Sequence, residues 1–324
     1  MMRIVFHGEN AANFSVGFAG QLQPSDELAV LPDRVTSEAD VAAFRTAEVL
    51  VATRFDDGLP IPSGLRLLQV PGAGYDGIRF AMLPIGCPVC NCFGHEQAIA
   101  EYVIGALLMR RIPFIDADRH LRQGRWAYQA GRAATTHPEL AGSTIGILGF
   151  GHIGKAVAGC AKAFGMRVHV ANRSVLPVSP SVDRGFPMDE LSSFWSSADS
   201  FVVTLPLLPE TKGLVDAEAF AAMPRHAVLV NVSRGPLVDE AALYEALAAG
   251  QIAGAVIDTW YDYPSADRPE TLPSKLPFHE LQNVLMTPHM SGWTDGTIRR
   301  RQAVIAENIA RLRDGRPLLH VVNA

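Results

Sequence analysis

The run Gly146-Ile147-Leu148-Gly149-Phe150-Gly151-His152-Ile153-Gly154 decides the fold. The β-branched residues at 144–148 read as a strand, and residues 152–164 read as a helix. Between them Gly149, Gly151 and Gly154 form G-x-G-x-x-G. The first glycine permits a tight turn, the second lets backbone N–H groups approach a pyrophosphate, and the third allows close helix–strand packing. The helix N-terminus adds its partial positive charge. A plain βα turn is the alternative for the motif alone; the flanking strand and helix make it a dinucleotide site. His152 reads as a solvent-facing helix-start residue, grouped with Ile153 among the cofactor-binding residues of the turn.

Outward from this run, further short apolar stretches at 167–171, 200–205, 227–232, 254–258 and 284–287 alternate with helices at 216–223 and 239–249. That alternation predicts a doubly wound parallel sheet of six strands. Upstream, strands at 3–7, 27–31, 48–53 and 65–70 precede one long helix at 95–121 and a Gly/Thr/His/Pro-rich excursion at 123–138. A last helix is predicted at 297–313.

The 324 residues carry 28 Lys+Arg against 33 Asp+Glu, a net charge of −5, with 48% hydrophobic residues. This composition excludes global disorder, and the length exceeds what one core usually serves, so two domains are expected. The acidic balance argues against a nucleic-acid or anionic-membrane partner. The N-terminal residues show no apolar run of signal-peptide length, and the chain is expected to stay in the cytoplasm. Cys87-Pro-Val-Cys90-Asn-Cys92 contains C-x-x-C, but with only His95 nearby the ligand count is thin. Buried free thiols are the better reading, and no metal is expected.

Three further segments carry chemistry. Asn231-Val-Ser233-Arg234-Gly-Pro-Leu-Val-Asp239-Glu240 ends an apolar strand, and Arg234 there suits a carboxylate, a salt bridge to a neighbouring acid being the alternative. Thr287-Pro288-His289-Met290-Ser291-Gly292 puts His289 at the end of the last strand, where it suits proton transfer or a purely structural role. Val70-Pro71-Gly72-Ala73-Gly74-Tyr75-Asp76 offers an anion-binding nest or an ordinary turn.

Together, in this order, these segments resemble the D-2-hydroxyacid dehydrogenase family from about Leu65 to the C-terminus, with Ala255-Val-Ile-Asp258 also at family spacing. The resemblance implies an α/β, two-domain protein: a Rossmann domain at 98–294 and a discontinuous, flavodoxin-like substrate domain at 1–97 and 295–324. It implies an oxidoreductase acting on a small 2-keto or 2-hydroxy acid, of glyoxylate/hydroxypyruvate type. Arg234 would bind the substrate, His289 would be the acid/base, and the Ala73 and Gly74 amides would hold the carboxylate. Asn91 would lie near the hinge. Asp258 would contact the nicotinamide carboxamide, and Leu205, Pro206, Thr211 and Ser233 would line the coenzyme groove. The stretch 122–140, with Trp126 and Tyr128, stands where family members extend an arm to a second subunit, so a homodimer is expected.

Two departures shape the expectations. Most members carry Glu five residues after the Asp258 position to orient the histidine; Tyr263 stands there, with Asp262 beside it. Many carry Asp for the adenosine ribose; here Asn172-Arg173-Ser174 removes the carboxylate and adds a base, which favours NADP(H), NAD(H) remaining possible. Tyr75, Phe93, Trp293 and the Trp260–Tyr261 pair are candidates for an aromatic cleft. Two alternatives stay open. One is a formate dehydrogenase-like enzyme, a branch with Gln at the Tyr263 position, D-x-W and H-M-S-G segments, and an N-terminal extension for which this chain lacks room. The other is a non-catalytic, coenzyme-sensing corepressor of the same fold.

Overall fold

The structure is a computed structural model that describes residues 1–131, 133–174, 176–265 and 268–323, the side chain of Ala133 excepted. The chain divides into two compact units, Met1–Gly94 with the segment from Thr294 onward, and His95–Trp293.

In the first unit β1 (Arg3–His7), β2 (Glu27–Leu31), β3 (Val49–Ala52), β4 (Leu67–Gln69) and β5 (Val89–Cys90) form a parallel sheet. Its order, β2-β1-β3-β4-β5, is the flavodoxin-like one. Strands β3 and β4 are buried along their whole length, as near-continuous apolar strands of a parallel sheet are. The last helix, Asp295–Asp314, lays Ile305 and Ile309 against Ile4, Phe6, Phe14 and Phe18. It starts two residues earlier than its periodicity predicts, because the Thr294 hydroxyl caps the Thr297 amide. Cys87, Cys90 and Cys92 are buried free thiols here, and desolvation pushes them up to about 11, about 12 and about 12. Among the described residues no group of three or more His, Cys, Asp or Glu could hold a metal ion.

In the second unit β6 (Thr144–Leu148), β7 (Arg167–Ala171), β8 (Arg184–Phe186), β9 (Ser200–Val203), β10 (Val228–Asn231), β11 (Gly254–Ile257) and β12 (Val284–Met286) make one sheet. The order is β12-β11-β10-β9-β6-β7-β8, every pairing parallel. The six strands expected become seven among the described residues. The added edge strand β8 is only three residues long, and its sequence Arg-Gly-Phe carries no apolar alternation to announce it. The single helix expected at 95–121 is two, Glu96–Arg111 and Phe114–Arg122. Pro113 separates them, since proline lacks the N–H and disfavours helical geometry in the residue before it. No helix among the described residues is long and apolar enough to cross a membrane.

The strand order reverses between β6 and β9. In open parallel sheets ligands bind outside the carboxyl ends of the strands at such a switch point. Gly149, Leu205, Arg234, Asp258 and Thr287 all follow those ends directly or within three residues.

Candidate active site

The glycine turn after β6 shows three separate reasons for glycine. Gly149 has φ +96, a left-handed conformation, and a Cβ there would meet Leu205 at 2.9 Å. At Gly154 a Cβ would stand 2.3 Å from the Gly149 carbonyl oxygen, so only glycine lets the helix His152–Ala163 start against the turn. At Gly151 a Cβ would meet nothing within 4 Å, and no side chain caps this helix start. An uncapped helix N-terminus beside open space is a cradle that fits a pyrophosphate. His152 is exposed, and Ile153 is half-buried against the core between the sheet and helix Glu96–Arg111. Gly154→Ala is expected to cost about 1–3 kcal/mol through overpacking. A thermal melt matching the unsubstituted protein would show that the turn has room to spare.

Neighbouring strand ends are tied to this turn. Thr204 donates to the Gly149 carbonyl at 2.8 Å, and the Ser233 hydroxyl donates to the Leu205 carbonyl. Thr211 is buried, and its hydroxyl is engaged within its own loop, donating to Pro206 O and accepting from Leu208 N, both at 2.8 Å. It therefore shapes the loop carrying the exposed Pro206. After β7 the Asn172 side-chain oxygen accepts the Phe150 N–H of the glycine turn at 3.3 Å, and its amide donates to Ser174 O at 3.2 Å. Arg173 and Ser174 are exposed beside it.

After β10 the chain makes a turn organised by Asn231, a residue the sequence alone did not single out for this task. Its side chain accepts from Ser233 N at 3.1 Å and donates to Arg234 O at 3.0 Å. Asparagine at the start of such a turn is the residue type that could have signalled it. Half-buried Arg234 donates to Ser233 O at 2.9 Å. The next residue, Gly235, leaves no room for a Cβ, which would lie 2.3 Å from Trp260 O. The Arg234 turn is thereby packed onto the segment following β11.

That segment reaches His289. Trp260 is buried, its indole donating to Thr287 O at 2.8 Å, and Tyr261 donates to Val238 O at 3.1 Å. Both rings face their own unit's core and not an aromatic cleft, which corrects the expectation for this pair. Trp293 and Tyr75 are exposed, and Phe93 packs edge-on to His320. The Trp260 N–H donates to the Tyr263 hydroxyl at 3.1 Å, and that hydroxyl lies 3.0 Å from His289 Nδ1. Asp262 instead faces Arg268, 3.9 Å away. Tyr263, not Asp262, is therefore the side chain at the histidine ring. His289 has φ +59, a conformation costing a non-glycine residue about 1–2 kcal/mol.

Asp258 follows β11 directly and meets the loop after β12. Fully buried, it accepts from the Thr287 hydroxyl at 2.6 Å, Met290 N at 2.8 Å and Ser291 N at 2.9 Å. Both carboxylate oxygens are thus engaged by the loop that bears His289.

In the first unit Asn91 is buried after β5 and donates to Ala73 O at 2.8 Å. The Cys92 amide donates to Gly72 O at 2.9 Å. Gly72 and Ala73 are therefore tied to the neighbouring strand end, Asn91 fixing the Ala73 carbonyl.

The family described as D-isomer specific 2-hydroxyacid dehydrogenase, NAD binding domain, matches residues 104–291. The D-3-phosphoglycerate dehydrogenase of Rattus norvegicus is 36% identical over 313 residues, covering 94% of this chain and 56% of its own length. The glycerate dehydrogenase of Methylorubrum extorquens is 30% identical over 290 residues, 87% of this chain and 88% of its own. A D-isomer specific 2-hydroxyacid dehydrogenase from Xanthobacter autotrophicus Py2, solved in complex with NADPH and MES, superposes with a TM-score of 0.79 at 29% identity, covering 99% of this chain and 98% of that one. The chain spans about half the length of the phosphoglycerate dehydrogenases it matches.

Proposed function

We propose, because this chain belongs to the D-isomer specific 2-hydroxyacid dehydrogenase family, that it reduces a small 2-keto acid of glyoxylate or hydroxypyruvate type, with NADP(H) preferred over NAD(H). The observation that carries the reading is the contact between the Tyr263 hydroxyl and His289 Nδ1, 3.0 Å apart, at the carboxyl edge of the sheet whose β10 leads to Arg234. With Nδ1 on the phenol, Nε2 is the atom read as handing a proton to the substrate carbonyl oxygen. Arg234 offers a guanidinium fork for the substrate carboxylate. In the unit of Met1–Gly94 and the segment from Thr294, read as the substrate domain, the turn of Ala73 and Gly74 presents backbone amides of the kind that suit a carboxylate.

The coenzyme, when bound, supplies the hydride. The residues that would hold it are Gly149, Gly151, His152, Ile153 and Gly154 at the turn, Asn172, Arg173 and Ser174 toward the adenosine, and Leu205, Pro206, Thr211, Ser233 and Asp258 along the strand ends. The relative with NADPH supports the phosphate-bearing coenzyme, as does the missing carboxylate at Asn172. The glycerate dehydrogenase supports a short, hydroxylated substrate.

Steady-state reduction of glyoxylate, hydroxypyruvate, 3-phosphohydroxypyruvate and phenylpyruvate with NADPH and NADH tests the proposal. Turnover fastest with the unphosphorylated short acids is expected. Tight coenzyme binding without any turnover would favour a sensing module, and formate oxidation in place of keto-acid reduction would favour the formate branch.

A homodimer is part of the same proposal. Trp126 is 62% exposed, and Phe114, Ile115 and Leu121 expose their side chains on the preceding helix. Exposed large apolar groups gathered on one stretch are typical interface anchors. Arg132, in the same stretch, lies outside the described residues. Sedimentation is expected at twice 34.9 kDa, and a mass near 34.9 kDa at micromolar concentration would refute the dimer.

A further inference from the structure

The turn that bears His289 is braced from a helix that carries none of the residues assigned above. Tyr102 lies within helix Glu96–Arg111, and its hydroxyl is 2.6 Å from Thr287 Oγ1. Thr287 has one hydroxyl hydrogen, and it goes to Asp258 Oδ1 at 2.6 Å. Tyr102 is therefore the donor to Thr287. The chain of donation runs from phenol to hydroxyl to carboxylate.

The same carboxylate takes the amide hydrogens of Met290 and Ser291, at 2.8 and 2.9 Å. The Thr287 carbonyl is separately held by the Trp260 indole at 2.8 Å. Residues on both sides of His289 are thus tied to one buried anchor, with His289 at φ +59 between them. A non-glycine residue stays in that region only where its surroundings over-determine it. Hydrogen bonds ending on a buried carboxylate are the strong kind, and donors in series polarise one another.

We infer that Tyr102 is a positioning residue for His289: through Thr287 and Asp258 it holds the left-handed turn that presents the imidazole. The inference rests on the proposed role of His289 as proton donor. Tyr102 touches no reacting atom. Its hydroxyl keeps Thr287 aimed at Asp258, and Asp258 keeps the Met290 and Ser291 amides in place.

Tyr102→Phe removes one hydroxyl without changing the ring that packs in the core, so folding is preserved. Thr287→Val removes the middle member, and Thr287→Ser restores a hydroxyl. Amide hydrogen exchange at Met290 and Ser291 reads the brace directly, and stopped-flow or steady-state kcat reads its consequence. In Tyr102→Phe exchange at these two amides is expected to accelerate while the amides of β6 and β10 keep their rates. The value of kcat is expected to fall about tenfold, within the roughly 10²-fold that an ångström of misplacement costs, with coenzyme Kd unchanged. Thr287→Val should behave likewise and Thr287→Ser should recover. Unchanged exchange at Met290 and Ser291 in Tyr102→Phe would overturn the inference. So would a loss confined to coenzyme affinity, which would assign the network to the nicotinamide. If the unsubstituted chain reduced no 2-keto acid while Tyr102→Phe still loosened the two amides, the brace would stand and the proton-donor reading would fall.

Discussion

Replacing His289 by alanine is expected to lower kcat for keto-acid reduction by about 10²–10⁴-fold, the range general acid catalysis supplies. Tyr263→Phe is expected to cost far less, about tenfold or below, because it removes one neutral hydrogen bond at Nδ1 and leaves the imidazole in place. The Tyr263 oxygen accepts the Trp260 N–H, and its hydroxyl meets Nδ1, to which a phenol can donate while that nitrogen carries no proton. When the ring gains a second proton, Nδ1–H must donate instead, and the phenol turns its hydrogen elsewhere. The phenol supplies hydrogen bonds to either state but no negative charge. A carboxylate at this position would favour the imidazolium.

The sign of the pH effect follows. Reduction needs the protonated ring and fades as pH rises through its titration, so a partner that favours the charged ring moves the fade upward. Tyr263→Glu is therefore expected to keep reduction active to higher pH than the unsubstituted chain. Asp262→Asn should leave the profile in place, since Asp262 faces Arg268. Rate profiles across pH 5–10 for the unsubstituted chain and these two variants check this. A profile that shifts with Asp262→Asn and not with Tyr263→Glu would reverse the assignment.

Coenzyme choice is expected to turn on Arg173. Charged hydrogen bonds are worth about 1.5–3 kcal/mol, so Arg173→Ala should weaken NADPH by about 10- to 100-fold and leave NADH nearly unchanged. Arg173 is exposed beside the end of β7, clear of the glycine turn's own hydrogen bonds. Asn172→Asp should shift preference toward NADH. The carboxylate would still accept the Phe150 amide, as Asn172 does at 3.3 Å, and would add a charge that repels a 2′-phosphate. Binding of both coenzymes to both variants, followed by fluorescence titration, decides the matter. Equal losses for the two coenzymes in Arg173→Ala would place that residue with the fold or the shared pyrophosphate.

The sequence by itself determined what depends on neighbours along the chain. The glycine turn at 149–154 is legible because steric need and helix polarity act within six residues, and β10 and β11 are legible because buried parallel strands are apolar throughout. The break at Pro113 was also local, though the apolar periodicity running across it hides the break from a reading by pattern alone. Only the tertiary structure decided which of two adjacent residues, Asp262 or Tyr263, reaches His289, because that depends on how Trp260 is held against Thr287. It also gave Asp258 the further part of anchoring the His289 turn, and joined Tyr102 to Thr287 in that turn across 185 residues. A buried carboxylate must find donors wherever packing brings them, and those donors come from segments whose spacing in the chain carries no trace of the meeting.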